Sequence, residues 1–330
     1  MNWIKEPFLL KPAVKDYLWG GNRINDDFGK KIDVFPFAES WECSTHPDGV
    51  SEVASGAFAG KKLDELISEH PEILGDHALK IADGKLPVMI KLIDAKNDLS
   101  VQVHPDDEYA LMNENSLGKS EMWYVLSARK DSQLVYGFNK EMDADKIRRD
   151  IEDQVIVEDL NLIPVKKDDV FFIEPGTVHA IGAGLLIAEI QENSNITYRL
   201  YDYNRIDKDG KKRQLHIDKA LDVVKTNASD APRQPMRTLR YKNGFASELL
   251  GRCKYFQVER VLLNTEINRS LCEYETGRNS FHVLLCIDGC GSILSEKNTL
   301  NFFKGDCIFV PANSSQIRLH GKAQFLDVSC

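Results

Sequence analysis

Apolar and polar positions alternate along much of the chain with the two-residue period typical of β-strands. In Leu99–His104 this alternation places Gln102 and His104 on one face of a predicted strand. Short apolar runs rich in β-branched and aromatic residues predict further strands over Leu86–Ile93, Glu121–Leu126, Val170–Ile173 and Leu185–Gln191. Strands therefore dominate the structure expected for the N-terminal part of the chain.

Other stretches of the same part have the spacing of amphipathic helices. Pro105 followed by Asp106, Asp107 and Glu108 is typical of a helix start, because proline and acidic residues are favoured in a first turn. We expect this helix to end at about Asn113. The apolar spacing predicts further helices over Leu63–Ser68, Ala144–Gln154 and Leu215–Val224.

The pattern changes after Asn227–Thr238, a polar segment with two prolines that we interpret as a linker. Beyond it, the apolar runs predict only strands, over Tyr255–Leu263, Phe281–Ile287, Cys307–Pro311 and Phe325–Val328. Many short strands separated by turn residues are typical of a β-sandwich or barrel. We therefore expect a mainly β protein of two domains, residues 1–235 with helical segments and residues 236–330.

Two pairs of similar segments suggest that one β unit occurs twice in the chain. The pairs are Asp168–His179 with Gly305–Ser315, and Trp123–Leu126 with Phe281–Leu284. The first pair shares an acidic residue, an apolar strand, a proline and a small residue. This alignment places Glu121 opposite Asn279 and His179 opposite Ser315. Candidate metal ligands are then expected only in the first copy.

Composition and charge narrow the class of protein. The 330 residues include 42 Lys and Arg and 51 Asp and Glu, so the formal net charge is −9. Apolar types make up 42% and charged types 28%, an ordinary globular balance that argues against a disordered chain, a coiled coil or a fibre. The acidic balance also argues against a nucleic-acid partner, because binding the phosphate backbone needs clustered Lys and Arg.

Targeting signals are not recognisable in the sequence. The longest apolar run, Ala180–Ala188, is far shorter than the roughly 20 residues that cross a bilayer, so no membrane partner is expected. The N-terminal residues lack a basic region followed by an apolar core. We expect a cytoplasmic protein whose seven cysteines stay reduced.

Four residues form the candidate site: Gln102, His104, Glu121 and His179. Neutral imidazole and carboxylate ligands suit Zn²⁺, Fe²⁺ or Mn²⁺, and a set without thiolates is more typical of a catalytic site than of a structural one. The alternative is that these are unrelated residues, namely a histidine in a turn, a solvent-facing glutamate and a polar strand face. Spacing by itself favours that alternative, because such scattered ligands are a weak signal.

Several motifs in order resemble the type I mannose-6-phosphate isomerases, in their short bacterial form. They are Val101–Asp106, Gly118–Trp123, Pro175–Ala180, Glu189–Arg205 and Leu215–Asp222. This family belongs to the cupin superfamily. The resemblance implies a mainly β fold of two cupin-type jelly-roll barrels, with a few helices inserted in or flanking the first barrel and a metal in that barrel only.

The resemblance also implies roles for individual residues. It implies one Zn²⁺ per chain, bound by the four candidate ligands, in an enzyme that interconverts mannose 6-phosphate and fructose 6-phosphate through an enediol(ate). Arg199 and Glu189 match catalytic positions, and Lys119, Lys91 and Ser100 match positions that line the substrate site. Asn195 stands where longer eukaryotic members have an aspartate. The proton-transfer group therefore stays open between Glu189 and a water on the zinc.

Other interpretations stay open at this point. The chain could be a related cupin isomerase of another sugar, sugar phosphate or metal, a catalytically silent sugar-binding cupin, or an Fe(II) oxygenase with two histidines and a carboxylate. Without the resemblance, Arg199 is expected to pair with Asp202 or Glu192 on the surface, and Lys119 to be solvated. A net charge of −9 would repel a sugar phosphate, so its binding requires a local cationic pocket built from Zn²⁺, Arg199 and Lys119.

Overall fold

The structure is a computed structural model that describes residues 3–206, 209–230, 232, 234–267 and 270–330. Residues 231 and 233 of the predicted linker lie outside the described residues. The strands are β1 (Phe8–Lys11), β2 (Ala13–Lys15), β3 (Glu39–Cys43), β4 (Glu52–Val53), β5 (Val88–Ala95), β6 (Val101–Val103), β7 (Glu121–Ala128), β8 (Gln133–Phe138), β9 (Leu160–Pro164), β10 (Val170–Ile173), β11 (His179–Ile181), β12 (Leu185–Glu192), β13 (Tyr198–Tyr201), β14 (Arg240–Lys242), β15 (Phe245–Arg252), β16 (Gln257–Asn264), β17 (Cys272–Tyr274), β18 (His282–Leu294), β19 (Thr299–Phe303), β20 (Cys307–Val310) and β21 (Ile317–Ser329).

Helices are short and lie mainly in the N-terminal part. The α-helices are α1 (Arg23–Phe28), α2 (Leu63–Glu69), α3 (Asp76–Ile81), α4 (Asp107–Glu114), α5 (Ala144–Glu152) and α6 (Ile217–Val223). Single 3₁₀ turns occupy Trp3–Lys5, Gly56–Phe58, Pro71–Leu74 and Ile156–Asp159. Among the described residues, no helix combines the length and apolar character needed to cross a bilayer.

Two antiparallel sheets form the N-terminal unit, which we call the first barrel. One sheet has the strand order β10-β7-β12-β5-β3-β2, and the other has the order β13-β6-β11-β8-β9. Buried apolar side chains from both sheets meet between them, among them Trp123 and Ile187 from the first and Leu134 and Ile181 from the second. Helices α5 and α6 cover the outer face of the five-stranded sheet, where Ile147 and Ala220 join its core.

A third sheet, which we call the second barrel, curls around its own apolar core. Its order is β14-β15-β16-β21-β18-β20-β1-β4, with β17 added to β21 and β19 added to β18. Strand β1 pairs with β20, so that Phe8 lies opposite Phe309. Strand β1 therefore belongs by sequence to the first predicted domain but pairs within the second barrel. The division between residues 235 and 236 stays a prediction.

The two barrels share a buried apolar layer. The outer face of the six-stranded sheet contributes Ile90 and Met122, helix α2 contributes Leu66, and the second barrel contributes Phe256 and Phe309. All five side chains are at most 1% exposed. Burial of this much apolar surface makes the barrels one packed body.

The predicted mainly β architecture with a few helices beside the first barrel is confirmed. The two copies of the predicted repeat pair their strands alike, because β7 lies beside β10 and β18 lies beside β20. With Ile173 matched to Val310 as in the first predicted pair of segments, the predicted alignment of the second pair is wrong by three residues, however. Glu121 lies opposite Ile173 and His282 lies opposite Val310, so His282 takes the place of Glu121. Asn279 instead precedes β18 in a turn, where its carbonyl accepts a hydrogen bond from the backbone of His77.

Candidate active site

Three strands of the first barrel bring His104, Glu121 and His179 together. His104 follows β6, Glu121 begins β7 and His179 begins β11. Nε2 of His104 lies 3.1 Å from Nε2 of His179 and 3.2 Å from Oε1 of Glu121. Nε2 of His179 lies 3.6 Å from Oε2 of Glu121. Three residues far apart in the sequence thus converge on one point, as the sequence predicted. All three residues are almost completely buried.

The protonation and bonding of this centre fit a divalent metal. Burial lowers the pKa of His104 to about 3 and lowers the pKa of His179, so both imidazoles are neutral. Burial alone would raise the pKa of Glu121, but Lys119 and His104 hold it well below its usual range. Oε2 of Glu121 is buried without a hydrogen bond, and Oε1 is ion-paired with Lys119. Two neutral imidazoles and a buried carboxylate with one oxygen free of hydrogen bonds are the donor set of a metal site.

The second nitrogen of His179 sets the direction of its ring. Nδ1 lies 2.8 Å from the carbonyl oxygen of Thr177, so it donates and leaves the lone pair of Nε2 facing the centre. Gln102 lies beside it, because β6 pairs with β11 with Gln102 opposite His179. The amide Nε2 of Gln102 is 3.4 Å from Nε2 of His179, and rotation of the amide would present its oxygen there instead. Gln102 is therefore within reach as a fourth ligand.

A cavity of about 350 Å³ opens beside the centre. Of the residues predicted from the sequence, its wall contains Lys91, Ser100, Gln102, Lys119, Glu189 and Arg199. The sequence did not single out Arg213, Tyr17, Glu39 or Thr197, which line the same cavity. The structure thus brings every predicted site residue either to the centre or to the cavity beside it.

Lys91 and Glu189 form a buried ion pair on this wall. They are cross-strand neighbours on β5 and β12, and Nζ of Lys91 lies 3.1 Å from Oε1 of Glu189. Oε2 of Glu189 accepts a hydrogen bond of 2.9 Å from the indole of Trp123. Burial, with the nearby charge of Glu121, raises the pKa of Glu189 despite the lysine. A carboxyl group with a raised pKa beside a cavity suits proton transfer.

Lys119 reaches the centre from the loop before β7. Its Nζ lies 2.6 Å from Oε1 of Glu121 and 3.2 Å from Nε2 of His104. The residue is 3% exposed, so the alternative of a solvated lysine is wrong. An ammonium group buried against a carboxylate and a neutral imidazole supplies fixed positive charge to the cavity.

Two arginines line the cavity, and only Arg199 was predicted. Nε of Arg199 donates to Oγ of Ser100 at 3.3 Å, and its Nη1 donates to the carbonyl of Gln214 at 2.8 Å. Asp202 instead forms ion pairs with Arg213 and Arg205. Nε of Arg213 donates to Oδ2 of Asp202 at 2.7 Å. The expected surface pairing of Arg199 with Asp202 or Glu192 is therefore wrong. Arg213 lies in a basic stretch that no motif distinguishes.

Comparisons with known proteins agree with this geometry. The sequence-family model of the type I phosphomannose isomerase catalytic domain matches residues 8–141. The family model of the mannose-6-phosphate isomerase cupin domain matches residues 248–329. Mannose-6-phosphate isomerase ManA of Bacillus subtilis is 36% identical over 326 residues, which are 97% of each chain. A mannose-6-phosphate isomerase of Streptococcus mutans is 41% identical over 66% of this chain and 68% of its own.

The fold is similar to a solved structure as well. The crystal structure of the mannose 6-phosphate isomerase from Bacillus subtilis superposes with a TM-score of 0.87 at 32% identity. The superposition covers 98% of this chain and 99% of that one. The similarity thus includes both barrels.

Proposed function

Because the chain belongs to the family of type I mannose-6-phosphate isomerases, we propose that it interconverts D-mannose 6-phosphate and D-fructose 6-phosphate. One observation carries the proposal. A buried centre of two neutral histidines and a carboxylate with one oxygen free of hydrogen bonds opens into a cavity that also holds Glu189, Lys119 and Arg199. Aldose–ketose isomerisation needs an electrophile, a group that moves a proton and cations that hold the phosphate, and this cavity offers candidates for each.

We assign Zn²⁺ to the centre, with His104, Glu121 and His179 as ligands and Gln102 as the fourth. The assignment rests on nitrogen and oxygen donors without a thiolate, which are typical of catalytic zinc. When bound, Zn²⁺ supplies a Lewis acid that polarises the sugar carbonyl as negative charge develops on its oxygen. Lys119, 2.6 Å from Oε1 of Glu121, adds fixed positive charge on the same side.

We assign proton transfer between C1 and C2 of the sugar to Glu189, through an enediol(ate). Its raised pKa favours a group that can both accept and return the proton. The indole of Trp123 holds Oε2, and the ammonium of Lys91 lies beside Oε1, so the carboxyl group has a fixed orientation. Lys91 thereby controls the charge of Glu189 as well as lining the cavity.

We assign the phosphate to Arg199 and Arg213. The two guanidinium groups line one cavity, and planar guanidinium groups suit phosphate oxygens. Arg213 uses Nε and Nη2 on Asp202, so Nη1 is the nitrogen we propose for the ligand. Arg199 is anchored through Nε and Nη1, which leaves Nη2 for the same purpose. Ser100 then acts by orienting Arg199.

A coupled assay of mannose 6-phosphate isomerisation tests the proposal, with unphosphorylated mannose and glucose 6-phosphate as controls. We expect activity with mannose 6-phosphate only, about one zinc per chain by elemental analysis, and loss of activity in Arg199→Ala with the zinc retained. Preference for an unphosphorylated sugar would contradict the substrate assignment. A protein without divalent metal that EDTA leaves unchanged would contradict the metal assignment. The cytoplasmic location stays a prediction that cell fractionation can check.

A further inference from the structure

Backbone hydrogen bonds hold the loop that carries Lys119 at three consecutive residues. We call residues 116–120 the lysine loop. The N–H of Gly118 donates to Oδ1 of Asp107 at 3.0 Å, that of Lys119 to the carbonyl of Pro105 at 3.0 Å, and that of Ser120 to Oε1 of Glu192 at 2.7 Å. Two of these three acceptors are carboxyl groups. The position of the loop therefore depends on where those side chains lie.

Gly118 shows how closely the loop and Asp107 approach one another. A Cβ atom at this position would lie 2.5 Å from the carbonyl carbon of Asp106 and 2.5 Å from the nitrogen of Asp107. No side chain fits in that space, so the loop lies directly against the start of α4. A displacement of Asp107 would be transmitted to Gly118 and on to Lys119.

Asp107 is itself held by the second barrel. The hydroxyl of Tyr255 donates to Oδ2 of Asp107, the oxygen that Gly118 does not use. Tyr255 lies in the tight turn between β15 and β16, which is closed by a 2.9 Å bond from the N–H of Cys253 to the carbonyl of Phe256. The nearby ammonium of Lys254 is 3.4 Å from the same oxygen and belongs to an exposed side chain.

The turn has a defined position on the first barrel. Phe256 is 1% exposed, and its ring packs 6.2 Å from that of Phe172. A Cβ atom at Gly251 would lie 3.0 Å from the sulfur of Met122, the residue after Glu121. The hairpin thus packs against the strand that carries the glutamate of the metal centre and aims Tyr255 at Asp107.

We propose that Tyr255 is a positioning residue, through which the second barrel sets the position of Lys119 in the catalytic cavity. The connection runs from the hydroxyl of Tyr255 through the carboxylate of Asp107 to the backbone of Gly118. This inference rests on the proposed function, because it assigns Lys119 to the cavity that binds the sugar phosphate. It gives the second barrel a part in activity although none of its described residues lines that cavity.

The position of Lys119 matters because its ammonium group is confined. It contacts Glu121 at 2.6 Å and His104 at 3.2 Å in a closed environment, so it cannot compensate for loop movement by changing rotamer freely. Small displacements of a group that orients a substrate reduce catalysis strongly. Loss of the Tyr255 hydroxyl removes one bond from Asp107 without removing the ring that packs at the interface.

The test compares Tyr255→Phe with the wild type and with Tyr241→Phe, a matched change at an exposed tyrosine of β14. We expect Tyr255→Phe to raise KM for mannose 6-phosphate about three- to tenfold, with unchanged zinc content, and Tyr241→Phe to have no effect. Affinity for mannitol 1-phosphate, an open-chain analogue without a carbonyl, is expected to weaken by the same factor. Unchanged KM and affinity in Tyr255→Phe would overturn the inference.

A double-variant cycle separates positioning from a merely structural role. In a Lys119→Met background, Tyr255→Phe is expected to cause no further loss of mannitol 1-phosphate affinity, because its effect passes through Lys119. The same loss in both backgrounds would overturn the inference, since the hydroxyl would then act by another route. An inactive but ligand-binding wild type would instead contradict the proposed function, and the affinity cycle would still decide the role of Tyr255.

Discussion

The six-stranded sheet of the first barrel has the same strand order as β20-β18-β21-β16-β15-β14 of the second, but the two barrels fill their interiors differently. In the first barrel, strands β5, β7 and β12 bury Lys91, Glu121 and Glu189 beside a cavity. In the second barrel, the corresponding strands β16, β18 and β21 bury an apolar core that includes Leu284 and Phe325. The same scaffold therefore supports a polar site in one copy and a packed core in the other.

The residues at matching register positions show what changed. Glu121 and Glu189 of the first barrel correspond, through their strand partners, to His282 and Asp327 of the second. Nδ1 of His282 lies 2.7 Å from Oδ1 of Asp327, and the hydroxyl of Tyr274 donates to Oδ2 at 2.7 Å. Both oxygens of this carboxylate therefore have hydrogen-bond partners. Oε2 of Glu121 has no hydrogen bond, and Oε1 contacts the ammonium group of Lys119. A metal site differs from a closed polar cluster in keeping donor atoms unsatisfied.

The largest effect is expected from removing a ligand of the first barrel. His104→Ala deletes one of the two imidazoles, so we expect loss of the bound metal and a fall in activity of more than about 100-fold. His282→Gln, at the matching position of Glu121 in the second barrel, is expected to retain both. Metal content by elemental analysis and the isomerase assay check this. Two metals per wild-type chain, or metal loss in His282→Gln, would contradict the difference between the two barrels.

The next effect concerns the cations of the first barrel. Arg213→Gln removes a charged partner of the phosphate, so we expect KM for mannose 6-phosphate to rise about 10- to 100-fold with little change in kcat. Arg318→Gln, at an exposed arginine on β21, is the matched control and is expected to have no effect. Steady-state kinetics measure both variants. An equal change in the two would mean that only net charge matters.

Much of the first barrel could be predicted because its signals are local. The alternation in Leu99–His104 placed Gln102 and His104 on one face, and in the structure both side chains contact Nε2 of His179. The role of β1 in the second barrel had no local signal, since Phe8 and Phe309 are brought together only by tertiary pairing. Arg213 was missed for the same reason, because its direction depends on Asp202 and not on a motif.

The misaligned repeat has a different physical cause. Strands of similar apolar content match equally well in several registers, and an odd shift moves every side chain to the opposite face. Residue types alone therefore could not choose between Asn279 and His282 as the counterpart of Glu121. The backbone pairing of β18 with β20 makes the choice, and it shows a polar cluster in the second barrel that the sequence did not predict.

A smaller effect is expected where the barrels meet, at Glu192. Burial, together with the charge of Asp107, raises the pKa of Glu192 from 4.5 to about 8. The folded chain therefore holds a proton that the unfolded chain releases, so its stability falls as pH rises between these values. We expect Glu192→Gln to remove this fall and to unfold about 2–4 °C above the wild type at pH 8.5. Melting temperatures of Glu192→Gln and the wild type that differ by the same amount at pH 5.5 and pH 8.5 would contradict this expectation.

The smallest effect belongs to the polar cluster of the second barrel. Burial alone would lower the pKa of His282, but Asp327, with a further contribution from Glu259, raises it above the usual value of 6.5. The stabilisation by the charged pair is then full below pH 6.5 and is lost as pH rises through the raised pKa. We expect His282→Gln to cost about 1–2 kcal/mol at pH 6 and less at pH 9. Chemical denaturation at both pH values measures this difference. A cost that does not change with pH would mean that the imidazole is neutral, and the second barrel would then hold a hydrogen-bonded cluster and no ion pair.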